Sequence, residues 1–178
     1  FMPYKHYANK DNYNEKFSLH LTSSTIKTFF SLVFYLEHLA REGETLIVDE
    51  PELNLHPENQ RKIARILTMI ANRGVKVMVS THSDYFIREI NNLIMLKSDF
   101  KSKQDILKKY NYDDTMLISA NDVSSYLFCK NTIEEMEINE QEGIIAITFD
   151  NVINDLNSVS DDIYYTKQTD LEDATPSN

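Results

Sequence analysis

The spacing of apolar and polar residues changes period several times along this chain, and each change predicts an element. From Lys16 to Leu21 the pattern alternates, with Phe17, Leu19 and Leu21 on one side, which predicts a short strand. From about Thr25 to Arg41 the apolar positions Ile26, Phe29, Phe30, Leu32, Val33, Phe34, Leu36 and Leu39 cover most of a helical circumference. That predicts a helix buried on most sides, with Gly43 as its stop. Two short apolar runs follow, Leu46 to Val48 and Val75 to Val79, each read as a buried core strand. Between them Pro57 opens a helix to about Asn72, with Ile63, Ile66, Leu67 and Ile70 on one face. Gln60, Arg61, Lys62 and Arg65 fall largely outside that face, and Gly74 ends the helix. A short helix over Asp84–Asn91 and a third strand over Leu93–Leu96 complete the alternation. The fold class is therefore α/β, a parallel sheet with flanking helices.

The remaining segments are less periodic. Residues 1–15 are polar and aromatic, as in a loop, and residues 98–115 suit a short surface helix and loop. Val123–Lys130 and Thr132–Ile138 can pair as a small antiparallel hairpin around Asn131. Phe149 to Tyr164 has helical spacing, and the last dozen residues are polar, the pattern of a disordered end.

Composition narrows the class. A chain of 178 residues can form one domain or one lobe of a larger one. The lone Cys129 excludes a disulfide framework and suits a small buried hydrophobe. No apolar run reaches the ~20 residues of a membrane span and no leader pattern opens the chain, so the expectation is a cytoplasmic protein with no membrane partner. The net charge of −10 is concentrated after residue 130, where twelve carboxylates face Lys167 alone. An acidic end of this kind is more often a solvated surface than a partner-binding element, and it argues against this end lying on DNA.

The candidate chemistry sits where the two core strands end. The first runs straight into Asp49 and Glu50, and the second into Ser80, Thr81 and His82. Open α/β sheets place ligands beyond the C-terminal tips of their strands. Paired acids there suit a magnesium-assisted phosphate site, one orienting the metal's water shell and the other polarising an attacking water. One helical crossover separates Asp49 from His82, so adjacent parallel strands would present the acids and the imidazole at one edge. A cradle of the G-x-x-x-x-G-K-[ST] type is missing, since Gly43, Gly74 and Gly143 are isolated from one another. The expectation is the C-terminal portion of a longer ATPase, with the phosphate-binding half upstream of Phe1. A metal site built from His56, His82 and Asp49 lacks the helical i, i+4 spacing that would support it.

The run D-E-P-E-L-N-L-H-P followed by S-T-H-S resembles the Walker B, D-loop and switch-histidine elements of ABC-type ATPases. It is most similar to the stand-alone prokaryotic AAA or OLD-like group related to chromosome-maintenance and recombination-repair ATPases. The resemblance is strong over Ser18–Leu96 and weaker as far as Tyr164. It implies a P-loop NTPase-like fold whose C-terminal half is present here, with ATP and Mg²⁺ as cofactors. Residues 1–97 would form the ATPase lobe, 98–166 a hairpin and helix extension, and 167–178 a disordered acidic tail. Asp49 would hold Mg²⁺ through water, Glu50 would be the base for the hydrolytic water, and His82 would sense the γ-phosphate. Asn54, Leu55 and His56 would form the D-loop facing a second subunit. Ser23, Ser24 and Thr25 stand where the family's signature binds nucleotide across a dimer, although Thr25 replaces the usual glycine. Ser23 or Ser24 as a plain helix N-cap is the simpler reading of the same residues.

The implied function is an ATP-driven switch built on a head-to-tail homodimer or higher oligomer, acting on an effector protein or DNA in anti-phage defence or DNA repair. Two alternatives stand beside it. An OLD-type nuclease needs an apolar strand ending in Glu-Gly and a later Asp-x-Asp; of the only such pairs, Glu42-Gly43 lies inside the ATPase half and Glu142-Gly143 has no Asp-x-Asp after it. The other is a non-catalytic interaction module, since the chain without a phosphate loop would hold ATP poorly.

Overall fold

The two apolar runs form neighbouring strands. In a computed structural model, which describes residues 24–129 and 131–173, β1 (Thr45–Asp49) and β2 (Lys76–Ser80) pair in parallel, from Thr45↔Lys76 to Asp49↔Ser80. The segments expected as an opening loop and a strand at Lys16–Leu21 lie outside the described residues. Helix α2 (Pro57–Ala71) makes the crossover. His56 stands just before it, Pro57 supplies a preset φ at the first turn, and Gly74 closes the turn back to β2 by donating to the Ala71 carbonyl.

Alternation along β1 and β2 decides where the core lies. Leu46, Val48, Val77 and Val79 pack against Leu55, Ile63, Ala64, Leu67, Ile70 and Phe86, and against Leu32 and Leu36 of helix α1 (Ser24–Phe34) and the π-helical turn Tyr35–Leu39 that follows it. The opposite face is bare: Ile47 is 71% exposed and Met78 62%. The strands were expected to be buried, and the structure corrects that to burial on one face. Nothing among the described residues lies across the other. The first helix is corrected in the same way. It was expected to be buried nearly all round, yet Ile26, Phe30, Val33, Phe34 and Leu39 are exposed, because it packs through a single stripe.

Helix α3 (Asp84–Met95) overturns the expected third strand at Leu93–Leu96. Ser83 caps it by accepting from the Phe86 amide at 3.1 Å, and Phe86, Glu89, Leu93 and Ile94 recur at helical spacing on the buried face. That periodicity carries the helix through Leu93, Ile94 and Met95, with Leu96 as its C-cap, so the described parallel sheet has two strands. Leu93, Ile94 and Leu96 seed a second core with Leu107 of α4 (Lys103–Tyr110), Leu117, Ile118 and Ile144.

A buried ion cluster locks α2 to α3. The fully buried Glu89 accepts from Arg61 Nε and Arg65 Nε, each at 2.6 Å, and Arg65 also lies over the Tyr112 ring at 4.2 Å. Both arginines were expected to lie largely outside; Arg61 keeps much of its side chain exposed and reaches the carboxylate from the surface, while the carboxylate turns Arg65 in. Burial alone would raise the Glu89 pKa, but the Arg61 and Arg65 hydrogen bonds outweigh it and hold the carboxyl below the usual glutamate range.

The later elements follow the sequence more closely. Strands β3 (Tyr126–Cys129) and β4 (Thr132–Glu135) form the expected antiparallel hairpin, with Asn131 at φ +67° in its turn. A two-residue pair, β5 (Ile138–Asn139) with β6 (Gly143–Ile144), leads on to the last helix. Gly143, at φ +77°, comes so close to Asn91 that a Cβ would lie 2.5 Å from its amide. That approach lets Asn91 bracket Ile144, accepting from its amide at 2.8 Å and donating to its carbonyl at 3.0 Å. Helix α5 spans Ile147–Asp173, well beyond the Phe149–Tyr164 expected. The acidic tail expected to be disordered from residue 167 is therefore helical to Asp173. Among the described residues, no helix is long and apolar enough to cross a membrane.

Candidate functional site

The parallel register puts Asp49 directly opposite Ser80, the last residue of each strand. The Ser80 hydroxyl donates to Asp49 Oδ1, and the Glu50 amide donates to the Ser80 carbonyl at 3.1 Å, extending the ladder one step past the strand. Glu50 then leaves the β conformation with φ +42°, a left-handed setting that costs a residue with a Cβ roughly 1 kcal/mol. This sharp turn aims its side chain across the sheet edge. Glu50 Oε1 lies 3.5 Å from His82 Nε2, the imidazole 88% exposed and the carboxylate 38%. Three residues singled out in the sequence, Asp49, Glu50 and His82, thus meet at the tips of β1 and β2.

Beneath them lies a residue that sequence reasoning passed over. Glu52 is only 7% exposed, and its Oε1 accepts from the Thr81 hydroxyl at 2.6 Å and the His82 amide at 2.9 Å. One carboxylate oxygen therefore ties the loop after β1 to the loop that carries His82. The other, Oε2, is buried and has no hydrogen-bond partner among the described residues. Gln60 reinforces the tie, donating to the Leu55 carbonyl at 2.9 Å and accepting from the Ser83 hydroxyl. In the sequence it is simply the third acid of the D-E-P-E run, two residues past Glu50, and nothing there sets it apart from a solvated carboxylate. Ser80 and Thr81 were legible as the end of a strand, but not as partners of Asp49 and Glu52.

The other expected site residues are more dispersed. Asn54 is exposed at φ +60°, in the turn where the Leu53 amide donates to the Glu50 carbonyl. The Leu55 side chain belongs to the core. The exposed His56 caps α2, its Nδ1 accepting from the Glu58 amide at 3.4 Å. Ser23 lies outside the described residues. Ser24 and Thr25 open α1 in the backbone, and their side chains lie outside the description.

The donor chemistry at the strand tips fits a magnesium ion. Asp49, Glu50 and Ser80 offer only hard oxygens, on a surface where water and phosphate can complete an octahedron. Among the described residues no three His, Cys, Asp or Glu side chains converge as an all-protein metal cage. Magnesium characteristically binds through one or two carboxylates plus substrate phosphates, and needs no such cage.

Comparison with known proteins points the same way. Residues 2–87 match a family model described as an AAA ATPase domain. Over 84 residues, 47% of this chain, the sequence is 30% identical to the glutamate/aspartate import ATP-binding protein GltL of Escherichia coli strain K12, covering 35% of that protein. Over 77 residues, 43% of this chain, it is 29% identical to the cell division ATP-binding protein FtsE of Streptococcus pneumoniae strain D39, covering 34% of it. This chain thus spans about a third of the length of these relatives. No solved structure matches it. The matched segment takes in both strands and the crossover helix, so the likeness to ATP-binding domains covers the small parallel sheet and its site.

Proposed function

We propose that this chain supplies the hydrolytic edge of an ABC-type ATPase, with the nucleotide's phosphate loop contributed by another segment of the parent protein. The observation that carries the reading is the meeting of Glu50 and His82 at 3.5 Å, beside Asp49, on the tips of two parallel strands. Asp49, oriented by the Ser80 hydroxyl, would hold magnesium through its water shell, and the ion when bound neutralises charge on the nucleotide's phosphates. Glu50 sits one residue further on, held off the strand by its left-handed turn, in position to take a proton from a water attacking the terminal phosphate. His82 shares the Glu50 carboxylate and is exposed enough to reach a phosphate, so it would register that phosphate's departure. Glu52 fixes the backbone beneath His82 and keeps the two loops in step. On the same reading, the head-to-tail dimer places Ser23, Ser24 and Thr25 of one subunit on the nucleotide of the other, with Asn54 and His56 along the seam. ATP closes this dimer and hydrolysis opens it, in service of an effector protein or DNA repair or defence.

The test is Glu50→Gln in the protein that carries both the phosphate loop and this chain. Hydrolysis should fall by roughly 10²–10⁴-fold while nucleotide binding persists, because the substitution removes the base and keeps the shape. Loss of nucleotide binding itself would make Glu50 a structural residue. The 178-residue chain alone should show negligible turnover with ATP and magnesium; robust activity would place the nucleotide site elsewhere.

A further inference from the structure

Helix α5 leaves the body soon after it begins. Phe149 and Ile153 are half-buried and Arg88 reaches Asp150 at 3.4 Å, but every side chain from Asn154 to Thr169 is exposed. Such a helix, about 40 Å long, would be marginal in water without a partner. Ile147, Tyr164 and Tyr165 are exposed on other sides of the helix, but four of its exposed apolar residues fall on one line. Val152, Leu156, Val159 and Ile163, 50–61% exposed, continue from Phe149 at alternating spacings of three and four. This is the 3.5-residue repeat of a coiled-coil seam, with Phe149, Leu156 and Ile163 at the a positions and Val152 and Val159 at d. Thr166 and Asp170 take the next seam positions, so the apolar run ends after Ile163.

The charges flanking the seam say what pairs with it. The g positions hold Asp155 and Asp162, and the e positions after them hold Ser160 and Lys167. In a parallel coil each g residue faces the e residue of the next heptad on the neighbouring helix. Two copies of α5 would then set Asp162 against Lys167 on both sides of the seam, using the single base of an otherwise acidic helix. Ser160, at the other e position, already donates its hydroxyl to the Leu156 carbonyl at 3.0 Å and sets no charge against Asp155. An antiparallel pairing would bring g against g, aspartate against aspartate.

We propose that α5 is a self-association helix, joining copies of this chain through a short parallel coiled coil along Val152, Leu156, Val159 and Ile163. This surface is separate from the strand-tip site and does not depend on nucleotide. The seven acids on each copy repel across the coil, so the association should tighten as salt screens them.

Sedimentation of the 178-residue chain over a concentration series tests this. The wild type should self-associate, more strongly at high salt. Leu156→Asp should weaken association by roughly 10²-fold or more, since each copy loses a buried leucine. Asn157→Asp, which adds the same charge one residue off the seam, should come close to the wild type. Lys167→Asp should weaken it a few-fold, and the double change Asp162→Lys with Lys167→Asp should restore it. Circular dichroism and thermal melting of each variant confirm that the body stays folded. A chain that sediments as a monomer at every concentration and salt overturns the proposal. So does equal behaviour of the two aspartate variants. A swap that fails to restore association overturns the parallel register. A monomer that instead captures a lysine-rich amphipathic helical peptide, more weakly as salt rises, overturns self-association and assigns the seam to a basic partner.

Discussion

Glu52 and Glu89 are both buried glutamates, and the contrast between them separates what holds this fold from what works at its edge. Glu89 sits between α2 and α3 with both oxygens engaged, each by its own arginine at 2.6 Å. Glu52 sits under the strand tips with one oxygen accepting from Thr81 and His82 and the other, Oε2, unpartnered among the described residues. A buried charge that is fully paired fixes geometry; one that is half paired is costly for stability alone. That a half-paired acid lies directly beneath Glu50 and His82 is what a positioning role at the site would produce, whereas Glu89 lies among α2, α3 and Tyr112.

The largest effect should come from breaking the paired glutamate. Glu89→Ala leaves Arg65, 17% exposed, and the more exposed Arg61 without their anion, so the fold should lose about 3 kcal/mol. A shift in the urea midpoint measures it. Acid should act through the same residue. Because the Glu89 pKa is lowered in the folded state, its contribution is complete above the ordinary glutamate value of about 4.3 and is lost as pH falls through the lower folded value. Glu89→Gln should therefore flatten the acid limb of the stability profile, and an unchanged limb would show that the arginines do not hold the carboxylate ionised.

The half-paired glutamate should cost less, and the kind of substitution should matter more. Glu52→Ala removes the acceptor shared by the Thr81 hydroxyl and the His82 amide, and should destabilise by about 1–3 kcal/mol with faster amide exchange at His82. Glu52→Gln keeps that acceptor and replaces only the unpartnered oxygen, so its cost should stay well below that of alanine. Equal losses for the two would mean that Oε2 is engaged after all, and the contrast with Glu89 would collapse.

The same contrast explains what could be read from the sequence. Asp49, Glu50 and His82 were legible because strand ends and a crossover length are local properties of the chain. The helix at Pro57 was legible because its start is chemical. Glu52 was not, since its role depends on a hydrogen bond to a loop thirty residues away, and nothing in E-L-N-L-H-P marks the glutamate as buried. Leu93–Leu96 misled for a related reason: four apolar residues in a row have no period of their own, and Phe86 and Glu89 upstream set the helical phase. The bare face of Ile47 and Met78 was equally invisible, because an apolar run looks the same whether one face is covered or two.

The smallest effect should be the most discriminating at the site itself. Glu50 is the one catalytic candidate in a left-handed conformation, at φ +42°. Its side chain makes no buried contact that stability would miss, and it is 38% exposed. Glu50→Gly relieves the Cβ crowding but gains freedom in the unfolded chain, and the net should be a stabilisation of about 0.5 kcal/mol. Glu50→Ala keeps the Cβ and loses the carboxylate, so it should be neutral or slightly destabilising. The difference between the two variants in urea isolates the strain from the charge. If Glu50 is the base proposed above, both should also cut hydrolysis in the protein that carries the phosphate loop. A glycine variant that is more stable and inactive would identify the turn at Glu50 as strain retained for chemistry. A glycine variant less stable than alanine would mean that the turn is relaxed, and the aim of Glu50 toward His82 would then rest on the Ser80 hydrogen bonds alone.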